Sequence, residues 1–301
     1  MRPKSETRTY LRWLDCDDPN CESSRKFWRR LDWRRSGVNL NGRYYCATRC
    51  FERAAELSIS RAMPGQALRQ RAAHRIPLGL VLLSRGQISH AELRQAIARQ
   101  RAQPSMLIGA LLTEMGYVDE DQVTAALARQ WCCPTLAGAL KIDPGCRGLL
   151  PARISERFRV LPVRYVRRTG ALCVAFAEGV NYPLLYTIDS MLDCHTEPCL
   201  IAKREMDRLL ETGSDDGGRD VFFDHRNSTG EAAHILASYV MKVGAHRVRL
   251  GGCEDFIWAR LEHQRDITNL LFHCSDSALQ ERAERSRSRA PSADVKIPVC
   301  R

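Results

Sequence analysis

Four cysteines carry the first recognisable chemistry in this chain. Cys16 and Cys21 lie in DCDDPNC, and Cys46 and Cys50 lie in RYYCATRCFERAAEL. The pattern is C-x4-C, a spacer of 24 residues, then C-x3-C. Zinc takes four soft donors in a tetrahedron, and two close thiolate pairs separated by a spacer can supply them. The sequence has 13 cysteines and no apolar signal-peptide core at its start, MRPKSETRTYLRWLD. A cytoplasmic chain is therefore expected, and in a reducing compartment such cysteines point to metal before disulfides.

The elements that would hold those thiols can be read locally. Asp17, Asp18, Pro19 and Asn20 are turn formers that would bend the first pair into a knuckle. NLNGRYYC predicts a short hairpin with its turn at Asn41-Gly42. A helix from Phe51 to Ile59 would follow the last ligand, the order found in a treble-clef finger. Between the pairs, SSRKFWRRLDWRRSG sets Trp28 and Trp33 among six basic residues. Two readings stand: aromatics among cations that stack on nucleic-acid bases, or tryptophans that pack a small finger while the arginines face water.

Composition bounds the rest. A chain of 301 residues with 44% apolar content can bury two or three small cores. No apolar run reaches the length of a membrane span. The net charge of +11 comes almost wholly from arginine, a balance that permits contact with nucleic acid or an anionic surface.

One segment is written twice. IPLGLVLLSRGQISHAELRQAIARQ, ending at Gln100, and MLIGALLTEMGYVDEDQVTAALARQ, ending at Gln130, share landmarks at an offset of thirty residues. Gly79 matches Gly109, Gly86 matches Gly116, Leu93 matches Val123, and Ile97 matches Leu127. Each copy predicts a short apolar helix (Leu78 to Arg85, Ile108 to Met115) that stops at a glycine. A second helix then opens with a capping pattern, Ser89-x-x-Glu92 or Asp119-x-x-Gln122. Two such helical hairpins, joined by RAQPS, make a compact four-helix unit.

The motif L-G-x-x-L-(L)-x-x-G, six residues, then L-x-x-x-(L/I)-x-x-Q, present twice, resembles the MshEN domain. That domain forms the N-terminal region of bacterial type II secretion and type IV pilus assembly ATPases, where the paired motifs cradle cyclic di-GMP. The resemblance implies a ligand surface built from Leu78, Gly79, Leu82, Gly86, Leu93, Ile97 and Gln100. Its second half would be Ile108, Gly109, Leu112, Gly116, Val123, Leu127 and Gln130. It also implies secretion or pilus machinery proteins as partners. The leading arginine of the motif is replaced by Pro77 and Leu107, so a guanidinium that could meet a guanine edge or a phosphate is missing twice. Arg75 lies two residues early and would point elsewhere.

The similarity runs on through residues 141–212: a leucine-proline helix, strands through RVLPVRYV and ALCVAFAE, a helix, a strand TEPCLIA and a closing helix. Cys194 and Cys199 are an odd five residues apart, which puts them on opposite faces of an extended segment and argues against a second metal site. Residues 213–229 read as a linker. Residues 230–274, read as helix, strand, turn and strand, resemble the small domain that precedes the motor in the same family, with Arg247 and Arg249 replacing acidic and histidine positions. The tail 275–301 is polar and expected to be disordered.

The expected fold is α+β: a small treble-clef-like zinc module over 9–60, a four-helix repeat unit over 76–130 within a domain spanning 74–212, then small α/β subdomains. No glycine is followed by lysine, so a phosphate-gripping G-x-x-x-x-G-K-[ST] loop is absent, and the chain ends about where the family's motor would begin. Catalysis is not expected, and no catalytic residue is named. The function expected is a regulatory or scaffold protein that docks partner proteins, with cyclic di-GMP as a candidate ligand. The alternative is a zinc-finger nucleic-acid-binding protein whose repeats mediate assembly.

Overall fold

The computed structural model describes residues 16–22, 37–62, 75–212, 219–223, 228–254, 256–264 and 266–273. Trp28, Trp33 and the basic stretch around them lie outside the described residues, as does the tail from 274 onward. Helices and strands alternate in an α+β arrangement.

The doubled segment forms four helices: α2 (Leu78–Ser84), α3 (His90–Ala102), α4 (Ile108–Glu114) and α5 (Glu120–Trp131). Gly86 and Gly116 take φ of 67° and 72°, the left-handed conformation that ends α2 and α4 without a Cβ penalty. Both capping boxes form. Ser89 Oγ accepts from the Glu92 amide while Glu92 accepts from the Ser89 amide, and Asp119 and Gln122 do the same for α5. Leu82, Ala96, Leu112 and Ala126 are fully buried at the centre of the bundle.

A three-stranded sheet follows, built from β3 (Val160–Val166), β4 (Ala171–Phe176) and β5 (His195–Leu200), with β4 central. Its neighbours are α6 (Ala152–Phe158), α7 (Tyr182–Leu192) and α8 (Lys203–Thr212). One face packs Met206 and Leu209 of α8 against Val163, Ala175 and Cys199. The other packs Val174 and Phe176 against Leu184 and Ile188 of α7. The first described residues of the chain sit with its last ones. Here β1 (Val38–Leu40) and β2 (Arg43–Tyr45) join β6 (Arg219–Phe223), β7 (Arg247–Cys253), β8 (Phe256–His263) and β9 (Asp266–His273) in one sheet of order β2-β1-β7-β8-β9-β6. One face of that sheet is covered by α1 (Thr48–Ala62) and α9 (Thr229–Val243), and the other meets α7 through Trp258 and Leu271.

Two local expectations differ from what is found. Residues 230–274 hold three strands after the helix rather than two. β8 and β9 are separate antiparallel strands with Phe256 paired to His273 and His263 to Asp266. Within 213–229, β6 forms because its aromatic residues have somewhere to go. Phe223 stacks on Phe272 with centroids 5.0 Å apart, and the Arg153 guanidinium lies over Phe222.

Candidate metal centre and repeat platform

Asn41 and Gly42, at φ 49° and 83°, make the two-residue turn that brings β1 and β2 together. Cys46 follows β2, and Cys50 lies in the first turn of α1, so the hairpin and the helix each contribute one thiol from the second pair. The first pair arrives on a turn fixed by Asp17 and Asp18. The Asp17 amide donates to Tyr44 O (2.8 Å), and its carboxylate accepts from the Tyr44 amide (2.8 Å). Asp18, only 7% exposed, accepts from the Asn20 amide (3.0 Å) and from Arg53 of α1 (2.5 Å). This clamp was not read from the sequence, although the acidic DD beside Cys16 was its visible trace.

The sulfurs of Cys16, Cys21, Cys46 and Cys50 all lie within 4.8 Å of one another, with Cys21 and Cys46 at 3.5 Å. A tetrahedron with metal–sulfur bonds of about 2.3 Å has edges near 3.8 Å, so four thiolates could close on one ion with small adjustments. Burial, with help from the neighbouring thiols, pushes Cys46 up to about 11, and burial and Asp18 raise Cys50 further. Burial also acts to raise Asp18, but the Asn20 amide, Cys50 and Arg53 outweigh it and lower its carboxyl. Among the described residues this is the one group of three or more such donors placed to hold a metal. Cys199 is buried and meets Cys173 of β4 at 3.2 Å between sulfurs.

The repeats place their landmark residues in matched pairs. Gln100 Nε2 donates to Met106 O (3.0 Å), and Gln130 Nε2 donates to Ile76 O (2.7 Å). Met106 and Ile76 are equivalent positions, so each copy's last glutamine clasps the start of the other copy. The first glycines repeat the pattern. A Cβ at Gly79 would meet Leu93 at 2.5 Å, and one at Gly109 would meet Val123 at 2.9 Å and Leu78 at 3.2 Å. These glycines permit close packing inside each hairpin and, at Gly109, between the two.

Most of the residues assigned to a ligand surface are buried or partly buried in the helical bundle. Leu82 and Leu112 are inaccessible, Leu78, Leu93, Gly79 and Gly109 are buried, and Ile108, Val123 and Leu127 are partly buried against the same core. Gly86, Gly116 and Ile97 are exposed, and Gln100 and Gln130 are half-buried. Four large apolar side chains of the repeats are exposed: Ile76, Leu80, Ile97 and Leu107. Arg75 is engaged locally. Its guanidinium stacks 3.5 Å above the Trp131 ring.

Arg249 also has a structural use. It donates to the carbonyls of Ser190 (3.2 Å) and Met191 (3.3 Å) and pairs with Asp193 (2.9 Å), capping the C-terminal end of α7. Arg247 lies 3.7 Å from Glu262 across the strand pair. Among the described residues, no helix is long and apolar enough to cross a membrane.

No family model and no curated protein matches this chain. Solved structures do align. A structure of MshE with cdg (cyclic di-GMP) matches at 22% identity and a TM-score of 0.41, covering 46% of this chain and 99% of the other. Two crystal forms of the XpsE N-terminal domain match at 22% and 21% identity and TM-scores of 0.33 and 0.28. They cover 45% and 50% of this chain, and 92% and 97% of theirs. Over up to half of its length, the chain is similar to MshE and to the N-terminal domain of XpsE.

Proposed function

We propose that this chain is a non-catalytic regulatory or scaffold protein, related to the N-terminal region of type II secretion and type IV pilus ATPases, that docks protein partners on its repeat unit. One observation carries the reading. The glutamine amides that would face a nucleotide are engaged with Ile76 O and Met106 O. The two arginine positions hold Pro77 and Leu107. Among the side chains the repeats expose are the apolar Ile76, Leu80, Ile97 and Leu107. Exposed apolar side chains of this kind suit the face of a protein better than a doubly charged dinucleotide. Cyclic di-GMP, with which MshE is described, is expected to bind here weakly or not at all.

The four cysteines are proposed to hold one structural zinc, the ion whose tetrahedral sulfur preference their spacing suits. In that role the metal supplies cross-linking, with no open position for chemistry.

The docking reading is tested by co-purification. Components of secretion or pilus machinery should be retained by the full chain at moderate salt. Leu80→Glu with Leu107→Glu should abolish retention while far-UV circular dichroism stays unchanged. Retention that ignores both substitutions would move the docking site elsewhere.

A further inference from the structure

The two ends of the described chain share one sheet and one core. The amide of Asn39 donates to His246 O (2.9 Å) and that of Asn41 to Val248 O (3.0 Å), pairing β1 with β7 in parallel. The Asn41 side chain adds a clasp across 209 residues of sequence: its Nδ2 donates to Leu250 O (3.2 Å), and its Oδ1 accepts from the Leu250 amide (2.9 Å). Behind the sheet, Phe51, Ala55 and Ile59 of α1 pack with Ala233, Leu236 and Ala237 of α9 over Val248 and Ile257. Glu52 meets His234 at 2.9 Å between the two helices. The fit is closest at Gly252 of β7, where a Cβ would lie 2.1 Å from the Ala62 carbonyl oxygen.

We infer that metal at Cys16, Cys21, Cys46 and Cys50 controls the order of the C-terminal α/β unit, so that the N-terminal module and strand β7 with helix α9 fold and loosen together. The inference rests on the reading that these cysteines hold a metal. Its physical basis is a short route. A metal would bridge Cys46, at the end of β2, to Cys50, in α1, fixing the angle between the hairpin and the helix. The hairpin completes the edge of β7 and the helix covers α9. Without the cross-link, two strands of three residues each must hold that edge with a 15-residue helix. Short strands of this kind are marginal without further support. Releasing them would bare the hydrogen-bonding edge of β7 and the apolar face of α9. Because linkage is reciprocal, the sheet must also favour metal retention by the module.

Two measurements on the full chain test this. Hydrogen exchange is compared for zinc-loaded and chelator-treated protein, after metal analysis of the loaded sample. Chelation should lower protection at least about ten-fold across residues 37–62 and also across 229–253. The repeats at 76–130 should stay unchanged. Release of zinc to a chromogenic chelator is then timed for Gly252→Val and Asn41→Gly, which leave every cysteine intact. Asn41→Gly removes the clasp but keeps the left-handed turn accessible, so it guards against a folding failure of the first variant. Release should be roughly five-fold faster or more, the equivalent of one lost hydrogen bond of ordinary strength. Protection changes confined to 37–62, with release at the wild-type rate in both variants, would overturn the inference. Loaded protein without metal at the cysteines would overturn both the inference and the zinc reading on which it rests.

Discussion

The repeat unit and the six-stranded sheet solve the same problem at opposite ranges. In the repeats, many of the defining contacts join residues close in sequence: Ser89 caps its own helix, Gly79 packs on Leu93, and Gln100 reaches Met106 six residues on. Gln130 to Ile76, 54 residues apart, closes the pair together with the packing of α2 against α5. In the sheet, β1 finds β7 across about two hundred residues, and α1 and α9 share a core although the whole repeat unit lies between them in sequence. Local order can form before the chain collapses. Long-range order needs something to hold the short pieces until they meet. The cysteine cluster sits where that help is needed.

The comparison can be broken most severely at the metal. A structural zinc contributes on the order of 10 kcal/mol to the fold around it. Cys46→Ser should therefore abolish stoichiometric zinc and the protection of α1, while the repeats keep their helical signal. Metal analysis and hydrogen exchange on the same sample decide this. An α1 equally protected in the variant would mean that packing alone holds the module.

Within the repeats, the largest effect is expected from overpacking. Gly109→Val adds atoms where a Cβ already stands 2.9 Å from Val123 and should cost about 1–3 kcal/mol, read as faster exchange over 76–130. Exchange unchanged from wild type would show that the hairpin has slack. Smaller effects should come from the clasp. Gln100→Ala and Gln130→Ala should each cost about 1 kcal/mol and resemble one another, because their bonds are equivalent. A large difference between them would argue against the internal symmetry. Ser89→Ala removes one cap and should cost about 1 kcal/mol, confined to the start of α3.

The same difference in range explains what the sequence could reveal. The thirty-residue repeat, the stop glycines and both capping boxes were legible because each is a pattern within a few turns of helix. The Asn41-Gly42 turn and the cysteine pairs were legible for the same reason. The pairing of β1 with β7 was not, since a three-residue strand carries no mark of a partner far along the chain. β6 was missed because Val221, Phe222 and Phe223 sit in a polar stretch and become a strand only once β9 offers an edge. In the candidate site, the motif was legible as residues that belong together, but a pattern of residue types does not separate the roles they could play. Gly79, Leu82, Gly109 and Leu112 read equally well in sequence as a ligand surface or as core, and their burial needed the fold. Arg75 could be excluded from the motif by spacing, but its stack on Trp131 needed the fold.

On the proposed reading, the repeat platform presents a protein-docking surface where the motif it resembles would hold a nucleotide. Isothermal titration of the full, unmodified chain with cyclic di-GMP tests it most directly. Charge-assisted hydrogen bonds contribute about 1.5–3 kcal/mol each against about 1 for neutral ones, so losing the cations at positions 77 and 107 should weaken binding by roughly two orders of magnitude. No measurable heat, or binding weaker than about 10 μM, is expected, with part of the affinity restored by Pro77→Arg with Leu107→Arg. Submicromolar binding by the unmodified chain would contradict the claim and return the platform to the nucleotide.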